Sequence, residues 1–413
     1  MPSLLKILFA RRSFASLMKE LIILIVGYPL YLFSFCIPKL KNKWICGNSI
    51  GFVGNTKYFY LFLQKEENIH CYWISSDKKV INRLLDMSLP AYYTYSIKGL
   101  YHSLTAKVYI FSDRSREINF WTSGNSVKVN LWHGVGVKNL RTSKFTLDTG
   151  SIISKILFPY RYEKFSLLLS SSKLNTDMQV YSLRTAREAV YEGIYPRDAF
   201  LLSPKKDIQR HIQVYESLEV KQIISKLGTY SRVFIYMPTW RHDLKGDFLR
   251  KAHFDLKRLN SVLEKNNQLF ILKLHSAVQT DLSEISDYSN LLFLNNKLDV
   301  YPILPFTDVL ITDYSSIYYD YVLMEDKGIL LYPFDQEEYQ NEDFDLFDFE
   351  KYTPGKRIFS FDDLIIAISD LNNRFDIPYR EWVLDTFWGD YKNHNQYQIY
   401  LKIRSIIYTN GSK

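Results

Sequence analysis

The sequence predicts an α/β protein of two successive units, each a mainly parallel sheet covered by helices, with a ligand cleft at their seam. Three observations carry this. From Lys43 onward, short apolar runs alternate with helix-like stretches, the pattern of strands joined by helical crossovers. The alternation stops at a polar segment, Pro204 to Gln213, which reads as a linker, and then restarts. Polar clusters stand just after four predicted strands, where α/β folds gather their ligand-binding groups. A chain of 413 residues is long for one ordinary domain and sufficient for two, each with its own core.

The N-terminus reads differently from the rest. Lys6, Arg11, Arg12 and Lys19 precede an uncharged stretch from Leu21 to Pro38, and Lys39, Lys41 and Lys43 follow it. The stretch reaches the lower end of the length that spans a bilayer, but Gly27, Pro29 and Pro38 weaken it as a straight helix. Basic flanks on both sides give no clear polarity, and no small-residue cleavage site marks a signal peptide. It is expected to lie in or dip into the cytoplasmic leaflet, with its basic flanks on anionic headgroups. A buried core hairpin is the alternative.

In the first unit the expected strands are Trp44 to Cys46, His70 to Ile74, Lys107 to Phe111, Val127 to Leu131 and Ser166 to Leu169, with a helix over Tyr58 to Glu66. In the second they are Val233 to Tyr236, Leu269 to Lys273, Leu291 to Leu294, Val309 to Ile311 and Gly328 to Tyr332. The net charge of +8 suits a phosphorylated substrate or an anionic membrane. No Arg/Lys-rich tract or nucleic-acid motif points to DNA or RNA. Cys36, Cys46 and Cys71 form no CxxC pair or zinc spacing, which implies a reducing, cytosolic setting.

Four clusters can carry chemistry: Leu131-Trp132-His133-Gly134 with Lys138, Tyr236 to Arg241, Lys273-Leu274-His275-Ser276, and Asp308 to Asp320. In the last, an apolar strand stops at Thr312, Asp313, Ser315 and Ser316, each able to cap a helix whose free N–H groups would seat an anion. Singly, each cluster also fits a structural role, and a lone histidine after a strand is more often a hydrogen bonder than a catalyst. Four at strand ends in one chain point to a site.

These clusters, in this order, resemble the CDP-glycerol glycerophosphotransferases that build teichoic acids and related capsule polymers. The matching elements are Pro38-Lys39 leading to Trp44, Gly54 to Tyr58, Tyr72 to Ser75, Leu131 to Gly134 with Lys138, and Gly193 with Pro196-Arg197-Asp198. Pro238 to Arg241, Lys273 to His275 and Asp308 to Tyr321 complete them. The resemblance implies a GT-B architecture of two Rossmann-like domains, an acceptor domain over 41–205 and a CDP-donor domain over 206–413; with the apolar N-terminal stretch, a membrane-associated segment over 1–40 precedes them. It implies His133 as the base and places His275, Ser315 and Ser316 at the donor's phosphates, with Arg241 a further candidate. His133 and His275 are therefore the expected catalytic residues. Thr239, Arg241, His275, Thr312, Asp313, Ser315 and Ser316 are expected to hold the donor, with Gly134 and Lys138 on the acceptor side.

The chemistry implied is transfer of glycerol phosphate, or another polyol phosphate, to a lipid-linked or polymeric hydroxyl at the cytoplasmic face of a bacterial membrane. CMP leaves as a stable anion, so positive potential on its phosphate matters more than a strong acid, while the attacking alcohol needs a base. Val135-Gly136 stands where many relatives carry Thr-Pro, a departure on the acceptor side, and Asn341 to Asp345 stands where they carry an Arg-Gly pair; CDP-glycerol is the leading donor, with CDP-ribitol close behind. Asp308 and Asp313 flank a short strand and Asp320 lies further on, so no obligatory metal or other cofactor is expected. Two other readings are a GT-B glycosyltransferase using a nucleotide sugar and a non-catalytic, membrane-bound assembly factor.

Overall fold

The computed structural model describes residues 14–136, 152–239, 248–274, 288–336, 339 and 348–409. The first sheet contains β1 (Leu40–Cys46), β2 (His70–Ser75), β3 (Ala91–Tyr93), β4 (Ala106–Phe111), β5 (Val127–Asn130), β6 (Leu167–Ser170) and β7 (Val190–Glu192), in the order 3-2-1-4-5-6-7. The second contains β8 (Arg232–Tyr236), β9 (Gln268–Leu272), β10 (Leu291–Phe293), β11 (Val309–Thr312), β12 (Gly328–Leu331) and β13 (Lys356–Arg357), in the order 10-9-8-11-12-13. Every pairing between these neighbours is parallel. Helices cover both faces, so the central strands are apolar throughout: Val108 to Phe111 and Phe234 to Tyr236 are fully buried.

In each sheet the strand order reverses once, between β1 and β4 and between β8 and β11. Crossovers on either side of such a point leave in opposite directions and open a crevice beyond the strands' carboxyl ends. Sheet order therefore puts Met237 to Thr239, after β8, beside Asp313 to Ser316, after β11.

All ten expected strands are present, with ends shifted by a few residues. Those that sequence reading missed, β3, β7 and β13, are two or three residues long and lie at sheet edges, where one flank is unpaired and no apolar run is needed. The expected linker is instead part of the helix Lys205–Tyr215. Ile208 and Ile212, one turn apart, bury a narrow stripe that the surrounding polar residues conceal in the sequence.

The N-terminal stretch forms one helix, Phe14–Cys36, rather than a core hairpin. Its inner side lies on the 3-10 turn Phe120–Thr122: Tyr31 stacks on Phe120 at 4.7 Å, and Ser34 Oγ accepts from the Gly124 N–H at 3.0 Å. Gly27 faces the Trp121 ring so closely that a Cβ would come within 2.4 Å of it. The other side exposes Ile25, Val26, Leu32, Phe33 and Phe35. Among the described residues no helix is long and apolar enough to cross a membrane. Two of the basic flanks do not face outward as expected. Lys39 Nζ donates to the carbonyls of Leu104 and Thr122, and buried Lys43 donates to Thr105 Oγ1, because backbone and hydroxyl acceptors at the sheet's lower edge satisfy both ammonium groups.

The two units are tied by the end of the chain as well as by the seam. Trp388 Nε1 donates to the Tyr319 carbonyl, Ser171 Oγ donates to that of Phe387, and Tyr400 packs on Trp44 of the first sheet.

Candidate active site

The Trp132-His133-Gly134 turn follows β5 and is held in an unusual backbone path. Trp132 has φ +54°, in the left-handed region, and Gly134 has φ +123°. A left-handed tryptophan costs on the order of 1–3 kcal/mol and persists only where its surroundings enforce it. They do so with buried amides. Asn130 Oδ1 accepts from the Trp132 N–H at 2.7 Å, and Asn55 Nδ2 donates to the Leu131 and Trp132 carbonyls. Asn55 Oδ1 in turn accepts from the Arg197 N–H at 3.2 Å.

His133 sits on this turn with its ring centroid 4.0 Å from that of Trp132. His133 is exposed to solvent, yet protein packs closely around its ring. Crowding holds its pKa below the ordinary histidine value. Desolvation lowers it most, Asp113 raises it, the Arg197 guanidinium lowers it again, and a hydrogen bond with the Ser112 backbone raises it. A neutral imidazole at pH 7 is suited to take a proton.

From the other unit, Ser316 and Asp320 approach the same turn. A Cβ built on Gly136 would lie 3.8 Å from that of Ser316, and one on Gly134 would lie 3.9 Å from Asp320 Oδ1. The helix after β11 is only Ile317–Val322. Ser316 stands at its N-cap position but with helical backbone angles, so its hydroxyl makes no capping bond, contrary to expectation. Backbone bonds from Tyr318 to Ser315 and from Tyr319 to Ser316 close the turn instead. Both serines are half-buried, with hydroxyls that do not serve the helix.

Thr312 and Asp313 are fully buried and brace the neighbouring loop. Thr312 Oγ1 donates to the Met237 carbonyl at 2.7 Å, and Asp313 Oδ1 accepts from the Thr239 N–H at 2.8 Å. Thr239 is buried at this junction. Lys138, Arg241 and His275 lie outside the described residues, as do Asn341 to Asp345. Among the described residues no three His, Cys, Asp or Glu side chains form a metal site.

Sequence reasoning gave no role to the residues that join the two units here. Arg197, on the helix Pro196–Leu201, donates to Asp320 Oδ2 at 2.5 Å and stacks over the Tyr301 ring at 4.6 Å. The Tyr301 hydroxyl donates to the same oxygen. Asn55 and Pro196-Arg197-Asp198 belonged to matching motifs, and Asp320 was considered only as a metal ligand. The motifs were the available signal.

The model of the CDP-Glycerol:Poly(glycerophosphate) glycerophosphotransferase family matches residues 30–396. The teichoic acid poly(glycerol phosphate) polymerase of Bacillus spizizenii is 24% identical over 331 residues, covering 77% of this chain and 80% of that protein. The teichoic acid ribitol-phosphate polymerase TarK of Staphylococcus aureus is 27% identical over 250 residues, 59% of this chain and 45% of that protein. Among solved structures, the wall teichoic acid polymerase TagF superposes with a TM-score of 0.69 at 19% identity, covering 96% of this chain and 97% of that one. The shared architecture is GT-B-like, two parallel sheets meeting at a seam.

Proposed function

The chain belongs to the CDP-glycerol:poly(glycerophosphate) glycerophosphotransferase family, and from that membership we propose that it moves glycerol phosphate, or another polyol phosphate, from a CDP-alditol to a hydroxyl of a lipid-linked or polymeric acceptor. The observation that carries the site assignment is the approach of the His133 turn to Ser316 and Asp320 across the seam. His133 takes the proton of the attacking alcohol, whose oxygen bonds to the alditol-bearing phosphorus as the bond to CMP breaks. CMP leaves with the electron pair. Ser315 and Ser316 donate to phosphate oxygens from the opposite wall, and Thr312 and Asp313 keep the Thr239 loop in register with them. His275 and Arg241 belong to this donor side by their motifs. Residues 41–205 supply the acceptor wall and 206–413 the donor wall.

The test is CMP release from CDP-glycerol and CDP-ribitol in the presence of acceptor. His133→Ala is expected to lower it by about 10³-fold, the scale of a lost general base. Undiminished release in that variant would remove His133 from the role. The TarK similarity is the reason for including the ribitol donor in the panel.

The same proposal sets the protein against the cytoplasmic face of the membrane, where a lipid-linked acceptor resides. Its support is the outer stripe of the helix Phe14–Cys36, with Ile25, Val26, Leu32 and Phe33 all more than half exposed. Co-sedimentation with anionic vesicles is expected, and Leu32→Glu with Phe33→Glu should abolish it. Equal partitioning of parent and variant would remove this surface from the account.

A further inference from the structure

Behind the His133 turn lies a buried ionic cluster that crosses the seam. Arg197 and Asp198 come from the first unit, Tyr301 and Asp320 from the second, and none is more than one-tenth exposed. The Arg197 guanidinium lies where a side chain at Gly134 would be, since a Cβ there would fall 2.3 Å from Nη2. Gly134 thus rests directly on the ion pair, one residue from the imidazole. The cluster extends past the pair to Asp198, which is fully buried. Arg197 Nε stands 3.7 Å from Asp198 Oδ2, so one guanidinium faces two carboxylates.

We propose that Arg197 and Asp320 are positioning residues of the transfer reaction, a buried guanidinium–carboxylate pair steadied by Tyr301 that seats the Gly134 turn and aims His133 at the phosphate held over Ser315 and Ser316. The inference rests on the proposed function, with His133 as base. It makes the base and the donor wall a single mechanical unit: Asp320 is four residues from Ser316 on the donor side, and Arg197 is linked through Asn55 to the Trp132 carbonyl on the other. It has an electrostatic consequence as well. Among the described residues the charged groups acting on the imidazole are Asp113, from the loop after β4, and Arg197, from the helix Pro196–Leu201, while Asp320 and Asp198 bear on Arg197. The guanidinium opposes protonation of His133, so its removal lets the imidazole hold a proton to higher pH.

The experiment is the pH profile of CMP release for the full-length protein with CDP-glycerol and acceptor. Arg197→Gln is expected to lower kcat by at least about 10-fold, with donor KM within about 3-fold, and to move the acid limb of kcat/KM upward by about half a unit or more. Arg197→Lys keeps the charge but loses the fork, so kcat should fall while the acid limb stays in place. Tyr301→Phe, which removes only a hydroxyl, should lower kcat several-fold and keeps the test decisive if the Arg197 variants do not fold. An Arg197→Gln enzyme, or a Tyr301→Phe enzyme in its stead, with parental kcat and acid limb would overturn the clamp while His133→Ala stays inactive. An active His133→Ala enzyme would instead overturn the functional reading beneath it.

Discussion

Two buried ionic clusters cross the seam, and they differ in what they touch. In the first, Lys57 Nζ donates to Glu216 Oε1 at 2.6 Å and to Asp299 Oδ2 at 2.7 Å. Tyr58 and the Tyr301 N–H complete Asp299, and His211 completes Glu216. Arg83 Nη2 adds a looser contact to Glu216 Oε2 at 3.6 Å. In the second, Arg197 and Asp320 lie against Gly134, on the turn that carries the candidate base. The difference lies in what each cluster supports: the first joins the two units, and the second also bears on the turn beside His133.

The comparison can be broken most forcefully at Lys57. Lys57→Met strands two buried carboxylates and should cost about 3–5 kcal/mol in chemical denaturation, with little change in the acid limb of activity. A shifted limb would mean that both clusters tune the base. Acid should act on the first cluster next. Lys57 and His211 hold Glu216 at about 2, below its ordinary 4.5. Its contribution is then complete above about 4.5 and drains as pH falls toward 2, amounting to at most about 3 kcal/mol. Equilibrium unfolding across that window should lose this slope in Glu216→Gln. Gly134→Ala sharpens the other side. With φ at +123° and Arg197 in the path of the new methyl group, the turn must move, and kcat should fall about 10²-fold, roughly 2.7 kcal/mol of barrier, with smaller loss of stability. A variant that loses stability and keeps kcat would make the second cluster structural after all.

Much of the candidate site was legible because strand ends are local signals. Val309 to Ile311 stops at Thr312 and Asp313, and Val127 to Asn130 stops before His133, and both turns lie where a parallel sheet puts its ligands. The roles within a cluster were less legible. Thr312 and Asp313 read as donor ligands by their capping chemistry, yet their side chains hydrogen-bond the Met237 to Thr239 loop, a partner about 75 residues away that no local pattern specifies. Ser316 read as a cap and is not one, since capping depends on a backbone angle rather than on residue type. The polar face of the helix Lys205–Tyr215 hid a stripe of two isoleucines.

By itself the sequence determined the two successive sheets, the turns at their strand ends and the family that carries them, because apolar run length and motif order are properties of contiguous residues. Only the tertiary structure decided which charges meet. Arg197 reaches Asp320 across 123 residues of chain, and Lys57 reaches Asp299 across 242. Such pairs depend on how two separately wound sheets are set against each other, a relation that no stretch of sequence contains.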